Sequence, residues 1–185
     1  QVIELTTAPV IASHSSLRFF TPGFERNMND DMLKALAKNG GVIQINFGSS
    51  FVSPIALSWY DKMKAKRTKI EAQHGKGSDE VKAFETAYKK QSPFPFADLK
   101  TVLDHIDHVV NVAGIDHVGI GSDYDGVGDS LPEGLKDVST YPNLIQGLLD
   151  RGYAEADIVK ILSGNFLRVS TEVENVSNKP LALNH

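Results

Sequence analysis

The sequence predicts an α/β fold built on parallel strands, and three observations lead there. Three short apolar runs, at residues 8–13, 42–47 and 118–120, read as buried strands. Helical patterns lie between and after them, so the order is strand, helix, strand, helices, strand, helices. Alternation of this kind implies right-handed crossovers between parallel strands, in either an open doubly wound sheet or a (β/α)8 barrel. A barrel needs eight strands and roughly 250 residues. On that reading the 185 residues here are its C-terminal part.

Taken in order, Ala8-Pro9-Val10-Ile11-Ala12-Ser13 is the first strand, ending in a polar loop at His14-Ser15-Ser16. Residues 29–38 read as a helix: Met32, Leu33 and Leu36 keep helical spacing, Asp30 and Asp31 favour the first turn, and Gly40 suits the stop. The β-branched run Val42 to Phe47 stops at Gly48 as the second strand. Next come two helices with apolar faces Trp59, Met63, Ile70 and Val81, Phe84, Tyr88, flanking Gly75-Lys76-Gly77. They read as a helical hairpin inserted at about 58–92, its second helix opened by Ser78, Asp79 and Glu80. Leu99, Val102, Leu103, Ile106, Val109 and Val110 form a helical stripe that stops at Gly114. The third strand, Val118-Gly119-Ile120, ends in Gly121-Ser122-Asp123. Helices then follow at 141–151, with Pro142 near the start, at 157–162 and at 166–174. Residues 1–174 make one domain and 175–185 a C-terminal tail.

The composition is that of a soluble globular protein, with 41% hydrophobic and 23% charged positions. No apolar run reaches the roughly 18 residues of a membrane span, and the start lacks the basic and apolar regions of a signal peptide. A net charge of -4 argues against a nucleic-acid partner. Residues 61–90 carry +4, but acidic residues interrupt them, so the hairpin reads as a solvated decoration. With no cysteine, thiol nucleophiles, thiolate metal sites and disulfides are excluded.

In either α/β architecture the working groups sit at the C-terminal ends of strands. Two such ends carry strong chemical groups, His14 and Asp123. A neutral imidazole is a good zinc ligand, and a carboxylate at a second strand end can bind metal or accept a proton. Alone, each also has a structural explanation, since an Asp followed by Gly residues is often a turn residue. Other motifs fail. Tyr124 stands where the dinucleotide fingerprint needs its third glycine, and Asp123-Tyr124-Asp125-Gly126 places Gly too early for a calcium loop. Ser13-His14-Ser15-Ser16 lacks a nucleophile elbow. His105 and His108, beside Asp104 and Asp107, read as solvated helix charge rather than a surface metal site. His117 precedes the third strand at the end away from catalysis, His74 lies in the hairpin and His185 in the tail, so all three default to structural or exposed roles.

Several separate motifs, in order, resemble one family. They are Pro9-Val10-Ile11-Ala12-Ser13-His14-Ser15-Ser16, Arg26-Asn27, residues 40–47, residues 114–126, Pro132-Glu133-Gly134-Leu135, Tyr141-Pro142-Asn143-Leu144, and Gly164-Asn165-Phe166-Leu167-Arg168-Val169. Together they resemble the C-terminal part of the membrane dipeptidase (renal dipeptidase) family, peptidase family M19, over nearly the whole chain apart from hairpin and tail. The resemblance implies a (β/α)8 barrel of the metal-dependent hydrolase type, this chain covering about strands 6 to 8. It further implies hydrolysis of dipeptides with a free C-terminal carboxylate at a two-zinc (Zn2+) site, with a water bridging the metals.

By the same resemblance His14 matches a zinc-ligand histidine and Arg26 the arginine that binds the substrate's terminal carboxylate. Asp123 matches an aspartate that contacts substrate and handles protons. The family's other metal ligands belong to earlier strands and have no counterpart here, so the N-terminal half of the barrel is required. A longer polypeptide is the expected source, with a second chain as the alternative. A homodimer is expected, and the absence of the cysteines found in mammalian relatives points to a bacterial protein of the cytoplasm or periplasm. Two other readings stay open: another metal-dependent amidohydrolase, such as a deaminase or cyclic-amide hydrolase, and a catalytically inactive scaffold.

Overall fold

Short β-branched runs joined through helices pair in parallel, because a helical crossover returns the chain to the same end of the sheet before each new strand. The computed structural model describes residues 2–178. Among these, β1 (Ile11–Ser15), β2 (Val42–Ile45) and β3 (Val118–Ile120) form one parallel sheet in the order β1-β2-β3. The central strand is the most buried: Val42, Ile43 and Ile45 are wholly inaccessible. The helices are α1 (Val2–Leu5), α2 (Asp30–Lys38), α3 (Ser49–Val52), α4 (Pro54–His74), α5 (Asp79–Gln91), α6 (Leu99–Ala113), α7 (Tyr141–Asp150), α8 (Glu155–Val159) and α9 (Asn165–Ser177).

The core forms where apolar helix faces meet that strand. Helix α6 buries Val102, Leu103, Ile106 and Val109, α2 adds Leu33 and Leu36, and α7 adds Leu144 and Leu148. Side-chain caps set several of the boundaries. Asn29, Ser53, Ser78 and Asp98 each accept a hydrogen bond from a first-turn amide of the helix they precede, filling a donor that the helix leaves unpaired. Asn165 Nδ2 donates to the carbonyls of Ile115 and Val118 at 2.7 and 2.8 Å, which pins the entry to β3.

Strand β1 differs from its expected form in two ways. It begins at Ile11 and runs to Ser15, so His14 and Ser15 lie inside the strand rather than in a loop after it. It is also an edge strand among the described residues, with Ile11, Ser13 and His14 exposed instead of buried. Its pairing with β2 is irregular between Ala12 and Ser15, a local bulge that re-aims the residues around His14.

The hairpin starts at Pro54, earlier than expected, because Ser53 caps α4 and Pro54 supplies the preset backbone angle of a first helical residue. Its base is fastened by Trp59, whose Nε1 donates to the Ser92 carbonyl at 2.9 Å while the indole packs edge-on against Tyr88 and Phe94. At the other end of the chain, the two helical stretches read at 157–162 and 166–174 are one continuous run. A π-helical turn, Lys160–Gly164, joins α8 to α9, which reaches Ser177 and so enters the expected tail. His185 lies outside the described residues. No helix among the described residues is long and apolar enough to cross a membrane.

Candidate active site

The C-terminal ends of all three strands converge, and Gly121 shows how closely. A Cβ on this residue would stand 2.5 Å from the Ser13 carbonyl of β1 and 2.9 Å from the Gln44 carbonyl of β2, so only glycine lets the end of β3 close over its neighbours. Two residues later, Asp123 adopts a backbone φ of 61°, the left-handed region that costs a non-glycine residue energy. Its carboxylate is held in place: Asn46 Nδ2 donates to Asp123 Oδ2 at 2.7 Å. Asn46 itself is wholly buried just beyond β2, its Oδ1 accepting from the Gly48 amide at 2.8 Å and its carbonyl from Ser16 Oγ at 2.9 Å. The other carboxylate oxygen abuts Gly126, where a Cβ would stand only 1.9 Å from Oδ1. Asn46 and Gly126 are thus the two residues that shape the Asp123 carboxylate; in the sequence Asn46 had no separate role and Gly126 only the failed calcium-loop reading.

His14 keeps its ring exposed at the end of β1. Nδ1 lies 3.0 Å from Ser13 Oγ, and no described group hydrogen-bonds Nε2. An imidazole with one nitrogen anchored and the other free is the form that a metal ligand takes. It would be one ligand only: the described residues contain no group of three or more His, Cys, Asp or Glu placed to hold a metal ion.

The loop that carries Arg26 is strapped to the same strand end by its neighbour. Asn27 is wholly buried and accepts from the Ser16 amide at 3.0 Å, while its Nδ2 donates to Thr21 Oγ1 and to the Phe51 carbonyl, both at 2.7 Å. Ser15 Oγ donates to the Arg26 carbonyl at 3.2 Å. The backbone is therefore fixed while the guanidinium stays exposed, 5.2 Å above the centre of the Phe51 ring. Around Asp123 the wall is aromatic. Tyr124 packs between Phe47 and Tyr141, and burial pushes its phenol up to about 12, so it remains neutral.

His14, Arg26 and Asp123 thus share one end of the sheet, although no described hydrogen bond joins any of them to another. The other histidines lie elsewhere. His105 is not solvated helix charge: it is wholly buried, accepting from the Leu17 amide at Nδ1 (3.2 Å) and facing the Val52 carbonyl with Nε2 (3.1 Å). Burial lowers its pKa to about 4. His108 pairs with Asp30 at 2.8 Å and stacks on Phe19. His117 Nδ1 meets the Gly41 carbonyl at 2.7 Å at the opposite end of the sheet, and His74 lies 3.8 Å from Glu80 in the hairpin.

The chain is similar to known dipeptidases. Mouse dipeptidase 3 is 36% identical over 181 residues, and human dipeptidase 3 is 34% identical over 182; each match covers 98% of this chain but 28% and 29% of the respective protein. The chain therefore spans under a third of those relatives. The crystal structure of the probable dipeptidase PvdM from Pseudomonas aeruginosa superposes with a TM-score of 0.74 at 32% identity, covering 94% of this chain and 47% of that one. A metallo peptidase from Rhodobacter sphaeroides, liganded with a phosphinate mimic of the dipeptide L-Ala-D-Ala, superposes at 0.66 with 27% identity, over 92% of this chain and 38% of that one. The model of one family matches residues 1–183, the glycine-lined strand ends and the polar loops included. With nearly every residue inside that match, the chain belongs to the membrane dipeptidase family, peptidase family M19.

Proposed function

We propose that the protein containing this chain is a zinc-dependent dipeptidase acting on dipeptides with a free C-terminal carboxylate, and that these residues form strands six to eight of its (β/α)8 barrel. Family membership supports the reading. The observation that carries it is the strand-end arrangement: an Asp123 carboxylate clamped by Asn46 on a left-handed backbone, at the same end of the sheet as an imidazole with a free nitrogen.

His14 would hold metal through Nε2, and the remaining ligands would have to come from outside the described residues, which contain no group of three or more His, Cys, Asp or Glu placed to hold an ion. Zinc, when bound, supplies Lewis acidity at the scissile carbonyl and activates the attacking water. The residues of this chain do the rest. Arg26, rigid in backbone and free in side chain, pairs its planar fork with the substrate's terminal carboxylate and so fixes the register of the peptide bond. Asp123 takes the proton of the water and returns it to the leaving amine, while Asn46 keeps its carboxylate from rotating away. We place the protein in a bacterial cytoplasm or periplasm and expect it to form a homodimer.

The test is hydrolysis of Ala-Ala and its C-terminal amide by the natural protein, with elemental analysis of zinc alongside its intact mass. Bound zinc, cleavage of the free dipeptide, loss on chelation and a poor rate on the amide are expected. A protein that takes up no zinc and leaves dipeptides intact refutes the assignment.

A further inference from the structure

Beside the Arg26 and Asp123 positions lies a cavity of about 390 Å³, bounded by the loops after β1 and β3, by α3, and by the first helix of the hairpin and the segment that follows its second. Phe24, Phe51, Leu57, Tyr60, Phe94 and Val127 give it apolar and aromatic walls. Its lining includes a neighbour of each group assigned to the substrate, though neither Arg26 nor Asp123 itself. Phe51, on one side, is the ring beneath the Arg26 guanidinium. Gly126, on the other, is in contact with Asp123 Oδ1. Two further lining residues, Asp61 and Lys64, carry opposite charges on adjacent turns of α4, so they confer no net charge on the wall. A pocket of this volume and character takes an uncharged, bulky group with few polar atoms.

We propose that this cavity is the subsite for the side chain of the substrate's C-terminal residue, and that it selects large apolar or aromatic side chains there. The inference rests on the dipeptidase reading. A carboxylate gripped by Arg26 belongs to the C-terminal residue, and the side chain of that residue then lies beside Phe51, at the mouth of the cavity. Helix α4 supplies Leu57, Tyr60 and one wall of the pocket, so the hairpin acts as a specificity element for the strand-end site. Phe24 and Phe51 pack edge to face at 5.6 Å and form a firm surface opposite α4.

The experiment compares kcat/KM for Ala-Phe, Ala-Leu and Ala-Gly in the natural protein, and then in Tyr60→Ala and Tyr60→Phe. Tyr60 is 39% exposed, so neither change opens a core. Wild type is expected to prefer Ala-Phe to Ala-Gly by on the order of tenfold or more, the discrimination typical of an apolar pocket. Tyr60→Ala should lower kcat/KM for Ala-Phe several-fold more than for Ala-Gly, and Tyr60→Phe should restore the ratio. Cleavage of Ala-Gly as fast as Ala-Phe overturns the subsite while leaving the dipeptidase reading intact. Failure to cleave any of the three overturns both.

Discussion

Acidification from pH 7.5 to 4.5 should destabilise this fold through one buried ring. His105 sits on α6 with no accessible surface, packed against Phe20 and hydrogen-bonded by Leu17 and Val52. Desolvation is the main cause of its depressed pKa, followed by the Val52 carbonyl acting in the opposite direction; His108 also lowers it and Asp104 raises it. An ordinary histidine titrates near 6.5 and this one near 4 when folded, so between those values the unfolded chain binds the extra proton. Stability is therefore complete above pH 6.5, falls as pH drops through the window, and loses nothing further from this group below about 4. At about 1.4 kcal/mol per pH unit the whole loss is roughly 3 kcal/mol, most of it spent by pH 4.5. Urea unfolding of the natural protein and of His105→Gln, at several pH values, isolates the effect, because every other titrating group is shared. The variant should be the weaker protein at pH 7.5, and the gap between the two should shrink by about 2 to 3 kcal/mol on reaching pH 4.5. A gap that stays constant across the range would show that His105 is not the group responsible.

Three further outcomes are expected. Asn46→Ala removes the donor to Asp123 and strands the Gly48 amide, so it should cost roughly 1–3 kcal/mol in unfolding free energy and also lower kcat; unchanged turnover would show that Asp123 needs no clamp. Arg26→Ala should raise KM for free dipeptides by an order of magnitude or more with a smaller change in kcat, and equal KM values for the free and amidated dipeptide in wild type would refute the clamp role. Asp123→Asn preserves shape and the left-handed turn but cannot take a proton, so it should fold, retain zinc and turn over about 10² to 10⁴ times more slowly; near-normal rates would remove Asp123 from the proton path.

Much of the scaffold was legible because local chemistry agreed with tertiary demand. Val118–Ile120 has the bounds expected from its short apolar run and the Gly121 stop, and the α6 stripe turned inward as its spacing required. The cap expected at Ser78 is a short-range signal that the final packing leaves undisturbed, whereas the caps at Ser53 and Asp98 did not stand out. What else escaped is long-range. Asn46 and Asp123 are 77 positions apart, and nothing about a strand-end Asn says which carboxylate it will meet. His105 looked polar among Asp104, Asp107 and His108, yet α6 is covered on more than one side. The Leu17 and Val52 groups that satisfy its ring come from non-strand segments with no periodic pattern. The exposure of β1 was equally invisible, since an apolar run reads the same at an edge as in the middle of a sheet.

That exposed strand has a practical consequence. Its outer flank, Ile11 to Ser15, contains neither a lysine nor a proline to discourage another chain from zipping onto its amides and carbonyls. Wherever this flank is left bare, molecules should dock edge to edge in a concentration-dependent manner, so covering it is a condition for keeping the protein monodisperse during handling.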